Sequence, residues 1–428
     1  MNNSGMNTVY FLGIGGIGMS ALARYYHSQG WLVAGYDRTC SPLTIQLEAE
    51  GMAIHYEDNP ALLPVDIDKV IYTPAVPQDL NEIAELRRRG IPLMKRAVAL
   101  GEVSKAHFTI AVAGTHGKTT TTAMVAHILK ECGVDVTAFI GGIANNFNSN
   151  LVLGSGTKST LVVEADEFDR SFLQLAPNVS IINSIDADHL DIYGDRKHLV
   201  EGFNAFAQLT QGPVIVKEGL DVSASKMLRF GFGEACDYRV DKLNLPLSIP
   251  GRHNQLNATA AFAAATQIGL QPEDILRALS TFKGVKRRFD IRVRNEKHIY
   301  IDDYAHHPEE IKSCLSAIKA SFPSKRVTVV FQPHLFTRTR DFMEDFARSL
   351  AMADSLILLD IYPAREKPIE GVTSQALLEK VAIADKRLCS KDHLLATVEQ
   401  LHPELLVTVG AGDIDRFVEP LEKMISQW

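Results

Sequence analysis

The sequence predicts an α/β fold of three domains in series: an N-terminal Rossmann-like unit, a central P-loop ATPase-like unit and a C-terminal Rossmann-like unit. Three observations carry the prediction. Short apolar runs alternate with helical stretches along nearly all of the 428 residues, the pattern of parallel strands covered on both faces. Two such runs lead into glycine turns that open helices, GIGGIG and GTHGKT. The length exceeds one typical core and fits two to three domains.

The elements follow in order. Residues 1–98 repeat a strand-helix rhythm: TVYFLGI, a helix from Gly18, LVAGYD, a helix around SPLTIQLEAEG, DKVIYTPAV, a helix in NEIAELRRRG, and IPLMKR. Residues 99–287 form the second unit, opened by HFTIAVAGTHGKTTTTAMVAHILKECG and continued by STLVVEADEF, VSIINSIDADHLD and GPVIVKEG as buried strands. The pattern loosens between Gly219 and Pro250, and NATAAFAAATQIG then reads as an alanine-rich helix. Residues 288–428 form the third unit, with strands in HIYIDDYA, RVTVVFQP, DSLILLD and LLVTVGAG, entered through GVKRRFDIRV. Pro308 suits the start of the helix in HHPEEIKSCLSAIKASFP, and Pro323 lies past its end.

Composition excludes several classes. A net charge of -7 with no compact Lys/Arg block argues against a nucleic-acid surface. Five scattered cysteines, none in C-x-x-C spacing, suggest neither a disulfide framework nor a zinc site. No apolar run is long enough to span a bilayer, and MNNSGMNTVYF lacks the pattern of a secretion signal. The expectation is a cytoplasmic protein, a monomer or homodimer, with Met6 as a second candidate start beside Met1.

The turn GIGGIGMSALA spaces Gly13, Gly15 and Gly18 as G-x-G-x-x-G, with Gly16 and Ile17 at the mouth of the helix. Glycines let the backbone close on a nucleotide diphosphate, and the helix N-terminus offers free N–H groups and a positive dipole end. Asp37 at the end of LVAGYD is where a dinucleotide-binding protein would hold a ribose.

The loop AVAGTHGKTTTT carries the stronger signal. Lys118 supplies an ammonium for β- and γ-phosphates and Thr119 a hydroxyl for Mg²⁺, at a helix start. The strict G-x-x-x-x-G-K spacing would put glycine at position 112, where Val112 stands, so this loop is a variant with Gly114 at its flexible corner. Mg²⁺ takes carboxylate and water oxygens together with phosphates. Glu164 ends an apolar strand, and Asp186, Asp188, His189 and Asp191 follow another, so both groups fall at the ligand edge of a parallel sheet.

The ordered set GIGGIGMSALA, GTHGKTTTT, EADEFDRSF, DADHLDIYG, GRHNQLNATAA, GVKRRFD, DDYAHHP, FQPHLFTRTR and GAGDI resembles the Mur ligase family of peptidoglycan synthesis, and within it the alanine-adding branch. The resemblance implies a UDP-sugar-binding first domain, an ATP-binding second, and a third that closes on ATP and binds the amino acid. It implies an ATP-dependent ligase that joins the lactyl carboxylate of UDP-N-acetylmuramate to L-alanine through an acyl phosphate.

Residue by residue, the resemblance assigns Gly114, Thr115, His116, Gly117, Lys118, Thr119 and Thr120 to ATP phosphates. Asn254 and Asn257 fall to the adenine side with His253 adjacent, Arg288 to a phosphate and Asp303 to the ribose. Thr119 and Glu164 hold one Mg²⁺, or Mn²⁺ in its place, and His189 a second ion. Gly13, Gly15, Gly16, Ile17, Gly18, Asp37 and Asn148 fall to the UDP-sugar, and Arg338 with His334 and His306 to the amino acid. A guanidinium suits alanine's carboxylate through bidentate pairing. Lys118, Glu164, His189 and Arg338 make up the catalytic set. Arg340 reads instead as an exposed ion pair at a helix start.

Two departures bear on this. Leu335 stands where family members often have arginine, which removes one candidate for binding substrate charge. Later Mur ligases carry a carbamoylated lysine after the metal histidine, whereas this chain reads FNAFAQ, in keeping with the alanine-adding branch.

Three other readings compete. An NAD-dependent oxidoreductase accounts for the first glycine turn but leaves Lys118, Thr119 and Glu164 without a role. A sibling ligase that attaches a recycled murein peptide to the same UDP-sugar differs only in its acceptor pocket. A nucleotide-binding switch would hydrolyse ATP without regard to sugar or amino acid.

Overall fold

In the computed structural model, which describes residues 6–156, 158–186, 193, 195–364 and 366–428, three sheets organise the chain. The first is built from β1 (Thr8–Leu12), β2 (Leu32–Tyr36), β3 (Ala53–His55), β4 (Lys69–Tyr72) and β5 (Leu93–Lys95) in the order β3-β2-β1-β4-β5. All its pairings are parallel. β1, wholly buried and apolar but for Thr8 and the Tyr10 hydroxyl, takes the middle because a central strand is covered on both faces. Between the strands run α1 (Ile17–Ser28), α2 (Pro42–Ala49) and α3 (Asn81–Arg88). Ser41 caps α2 through the Thr44 amide with Pro42 at its first position, so its start is written in the sequence.

α4 (Arg96–Lys105) leads into the second sheet. Its strands are β6 (Phe108–Ala113), β7 (Val136–Ala144), β8 (Ser149–Val152), β9 (Thr160–Ala165), β10 (Val179–Ile182), β11 (Val214–Lys217), β12 (Met227–Gly231) and β13 (Tyr238–Arg239), with α5 (Lys118–Glu131) after β6. The order is β13-β12-β11-β10-β6-β9-β7-β8, and only the β7–β8 hairpin is antiparallel. The carboxyl ends of β6, β9 and β10 therefore adjoin one another, where an open parallel sheet receives ligands.

The third sheet holds β14 (Asp290–Arg294), β15 (Ile299–Asp303), β16 (Val327–Phe331), β17 (Ser355–Leu358), β18 (Lys386–Leu388) and β19 (Leu405–Val409). Its order is β14-β15-β19-β16-β17-β18, parallel apart from the edge strand β14. The helix Pro308–Ser321 begins at Pro308 and stops before Pro323, as its sequence predicts.

The chain divides into two compact units, Met1–Pro246 with Leu256–Phe282, and Leu247–Gln255 with Lys283–Trp428. The first two sheets share the first unit and one core, in which Val9 and Phe11 join Ala111, Val163, Phe172 and Phe203. Buried Asn150 on β8 fastens them: its Nδ2 donates to Ile17 O at 2.6 Å and Ser20 Oγ at 3.0 Å, and its Oδ1 accepts from Arg24 at 2.7 Å. A buried amide left unpaired would be costly, so these bonds fix α1 against the second sheet.

The differences from the sequence prediction are local. β3, β13 and β18 are edge strands of two or three residues, too short for a recognisable apolar run, and β7, β8 and β12 are also absent from the prediction, β12 because Arg229 interrupts its apolar run. The alanine-rich helix starts five residues before Asn257, at Arg252, after Gly251 turns the chain at φ 109. Residues 98 and 99 fall inside α4, and residue 287 lies just ahead of β14.

Candidate active site

The first glycine turn forms as its spacing predicts. Gly13 has φ 83, and a Cβ there would lie 2.6 Å from Thr73 Cγ2. Gly16 caps α1 without a side-chain bond, Ile17 opens the helix, and its first turn carries no acid. Asp37 does not point away to a ribose: its Oδ2 accepts the Gly15 N–H at 2.8 Å and its Oδ1 the Thr39 N–H at 3.1 Å. It braces the turn from inside. A Cβ on Gly18 would run into the Arg96 guanidinium, so the third glycine makes room for a cation carried by α4. Asn148 sits in the β7–β8 turn at φ 47, a left-handed conformation that asparagine tolerates.

The phosphate loop is held more tightly. Gly114 adopts φ 136, and a Cβ there would lie 2.9 Å from the Ser184 backbone nitrogen, so only glycine fits. Gly117 caps α5 at φ 81, where a Cβ would meet Asn257 Oδ1 at 2.6 Å. Ser184, just past β10, pins the loop: its hydroxyl shares a 2.9 Å hydrogen bond with Thr115 Oγ1 and accepts the His116 N–H at 2.8 Å. Its neighbour Asn183 donates to Thr121 Oγ1 at 2.9 Å. His116 Nε2 lies 3.5 Å from Asp186 Oδ2. Thr119 and Thr120 are buried in the first turn of α5.

Lys118 Nζ donates to Gly114 O at 2.7 Å and to both carboxylate oxygens of Glu167, at 3.0 and 2.7 Å. Burial disfavours its charge, but the carboxylates of Glu167, Asp166 and Glu164 outweigh burial and hold it above the usual lysine range. It is an obligate cation at the mouth of a helix. Glu164, last but one in β9, accepts the Gly141 N–H at 2.6 Å.

A magnesium ion is tested by this donor set. Among the described residues no three His, Cys, Asp or Glu side chains are grouped to hold a metal. Mg²⁺ needs fewer, since water and phosphate oxygens complete its shell. The Thr119 hydroxyl, in the first turn of the helix that follows β6, and the Glu164 carboxylate, near the carboxyl end of the adjacent strand β9, both offer hard oxygen donors. They fit. His189, with Asp188 and Asp191, lies outside the described residues.

The second unit gathers its own cluster. Asp303, at the end of β15, accepts the Phe289 N–H at 2.7 Å and the Ala305 N–H at 2.8 Å, and burial pushes its carboxyl up to about 6. One oxygen thus braces the KRRFD segment, where Arg287 and Phe289 have φ 62 and 48, and the other the turn that follows β15. Arg287 is spent on Asp302 and Gly410 O, whereas Arg288 stands 3.7 Å from Glu310 and over the Tyr304 ring. Asn254 donates to Pro250 O at 2.6 Å.

His306 Nδ1 donates to Tyr304 O at 3.0 Å, and its ring lies edge-on to His334 at 6.1 Å. Arg338 Nη1 approaches His334 Nδ1 at 3.5 Å, and His334 stacks on Tyr362. Burial first, then neighbouring arginines, press His306 and His253 down to about 4, so both are neutral near pH 7. The three residues assigned to the amino acid therefore adjoin one another. Leu335 between them holds φ 73, costly for a branched side chain and a mark of a constrained segment. Arg340 pairs with Asp341 at 2.7 Å, exposed as expected, though in the last turn of the helix Phe336–Asp341 rather than at its start.

Sequence reasoning missed Ser184, Asn183, Glu167 and Arg96. Ser184 and Asn183 stood in plain view at the end of a predicted strand beside the phosphate loop, the position that could have exposed them. Glu167 and Arg96 become significant only through partners far along the chain.

Family comparisons agree with this geometry. The family model described as the Mur ligase family catalytic domain matches residues 8–108, the Mur ligase middle domain 112–218, and the Mur ligase glutamate ligase domain 287–414. A UDP-N-acetylmuramate–L-alanine ligase of Cytophaga hutchinsonii is 46% identical, over 100% of this chain and 98% of that one. The crystal structure of a UDP-N-acetylmuramate-alanine ligase of Thermotoga maritima has 30% identity and a TM-score of 0.85, covering 98% of this chain and 100% of that one. A murein peptide ligase of Psychrobacter arcticus shares the fold at 24% identity and a TM-score of 0.74, covering 99% of each chain. Three domain models in order, a full-length relative and the two glycine-built turns converge: the chain belongs to the Mur ligase family.

Proposed function

We propose that this protein is the ATP-dependent ligase that joins UDP-N-acetylmuramate to L-alanine in peptidoglycan synthesis. The observation that carries the reading is the pairing, in one compact unit, of two glycine-built strand-to-helix turns, of which only the second holds a lysine, half-buried and clasped by Glu167. One suits a nucleotide that is a handle on the substrate, the other a triphosphate that reacts. Full-length likeness to relatives named for this reaction favours alanine over a murein peptide as acceptor.

A carboxylate is a poor electrophile. Its lactyl oxygen attacks the γ-phosphorus, ADP leaves, and the resulting acyl phosphate accepts the alanine amine at its carbonyl carbon. Phosphate departs with its bonding pair, the amine loses a proton, and an amide remains. Both steps press anions together, so fixed cations carry much of the catalysis.

In this reading Lys118 binds the β- and γ-phosphates, with the α5 amides behind it. Thr119 and Glu164 hold Mg²⁺, or Mn²⁺, which when bound neutralises phosphate charge. His189 is assigned to a second ion by resemblance. Asn257 and Asn254 serve the adenine side, Arg288 a phosphate and Asp303 the ribose side. Arg338 takes alanine's carboxylate, with His334 and His306 beside it. Gly13 to Gly18, with Asp37 as brace, cradle the UDP diphosphate, and Asn148 lies on the sugar side.

The domains divide near residues 98 and 287, the first division within α4. No helix among the described residues is long and apolar enough to cross a membrane, and we place the protein in the cytoplasm as a monomer or homodimer. The test is a choice of acceptor. Given ATP and UDP-N-acetylmuramate, the protein should form the alanyl product seen by mass; a product with murein tripeptide instead would transfer the reading to the sibling ligase.

A further inference from the structure

Glu167 has no part in the chemistry above, yet its carboxylate is fully buried and grips Lys118 with both oxygens, at 3.0 and 2.7 Å. Lys118 has three ammonium hydrogens, and one is already spent on Gly114 O at 2.7 Å. A nucleotide phosphate must therefore displace Glu167, at least in part, to engage this lysine.

The backbone that carries this carboxylate is fixed. Tyr193 donates its hydroxyl to Glu167 O at 2.8 Å, and Arg170 N–H donates to the same oxygen at 3.0 Å. Asp169 and Arg170 adopt φ 53 and 54 in succession, conformations that persist only where surroundings enforce them. Here Lys95 pairs with Asp169 at 2.7 Å and Arg96 with Asp166 at 3.4 Å, tying the segment to the start of α4. Glu167 is thus presented to Lys118 by a braced turn.

We propose that Glu167 is a positioning residue that takes Lys118 back whenever the phosphate loop empties, and so eases the release of ADP. The inference rests on the nucleotide reading of the Lys118 loop. A lysine buried without a counter-charge would hold a product phosphate tightly, since desolvation would favour any anion that reached it. Glu167 supplies that anion from within the chain. It weakens the product complex in exchange for a settled empty state, and turnover benefits when product release is slow.

The experiment is calorimetric binding of ADP, with magnesium chloride present, to the full chain. Glu167→Gln keeps the shape and one acceptor but removes the charge, and should lower the ADP Kd at least fivefold while leaving that of UDP-N-acetylmuramate within twofold. Inhibition of turnover by ADP should strengthen in parallel. Glu201→Gln removes one exposed carboxylate elsewhere in the same unit, where it faces Lys197, and should change the ADP Kd less than twofold. An ADP Kd that is unchanged or raised in Glu167→Gln overturns the proposal, because a supporting role for the loop would weaken binding. So does an equal tightening in Glu201→Gln, which would make the effect one of general charge. Should Glu167→Gln fail to fold, Glu167→Asp decides: its carboxylate, drawn back by one methylene, should tighten ADP about twofold, and weaker binding refutes the idea. A native chain that binds neither ADP nor ATP would instead overturn the nucleotide reading itself.

Discussion

Replacing Ser184 with alanine removes one oxygen and strikes the phosphate loop at its anchor. That hydroxyl meets Thr115 Oγ1 at 2.9 Å and the His116 amide at 2.8 Å, and both Ser184 and Thr115 are buried. Each lost hydrogen bond costs about 1 kcal/mol, and a stranded buried donor costs more, so the total is about 2–3 kcal/mol. Part of this lowers folding stability; the rest falls on the loop, which must be re-formed when ATP arrives. With half on each side, the ATP Kd rises about tenfold. Titration calorimetry with a non-hydrolysable ATP analogue, paired with thermal unfolding, separates the two parts. A Ser184→Ala protein that loses melting temperature but binds the analogue within twofold of native would refute the argument that Ser184 shapes the loop.

The other expectations concern separate links. Arg338→Ala should raise the KM for alanine by about 10- to 100-fold, the worth of a charge-assisted hydrogen bond, with the KM for ATP little changed; equal losses in both would mean general damage. Glu164→Gln keeps an acceptor for the Gly141 amide and should raise the magnesium concentration needed for half-maximal activity, which a metal titration reads directly. His306→Gln tests the acid side of stability. His306 is held down to about 4 against an unfolded value near 6.5, so its stabilisation is complete above pH 6.5 and is lost progressively as pH falls from there to 4, about 3 kcal/mol in all. Asp303, raised to about 6, runs the other way, favouring the folded state on acidification. Denaturant unfolding from pH 7 to 4.5 should therefore show a shallower acid loss in His306→Gln than in the native protein, and identical slopes would contradict it.

Much of the fold and site was legible because buried parallel strands are apolar throughout and glycine turns announce themselves. β1, wholly buried, occupies the middle of its sheet, and Gly114 and Gly117 sit at left-handed φ values beside backbone or side chains that admit no Cβ. Edge strands were illegible for the opposite reason. β13 is two residues long, and pairing rather than composition makes it a strand.

The site shows the same division. Lys118 was evident from its motif, but its partner Glu167, 49 residues along the chain, was not, because spacing says nothing about which of three acids in EADE will turn inward. Asp37 shows what spacing leaves out. Its position at the end of β2 marks the ligand edge of the sheet, but that its side chain also accepts the Gly15 amide is visible only in three dimensions.

Phosphate release measured with each substrate left out in turn tests the central claim most directly. With ATP, UDP-N-acetylmuramate and L-alanine together, one phosphate should appear for each alanyl product formed, and omission of any one should reduce release to background. Sustained phosphate release that ignores both the sugar nucleotide and alanine would contradict the assignment and leave a nucleotide hydrolase on a ligase fold.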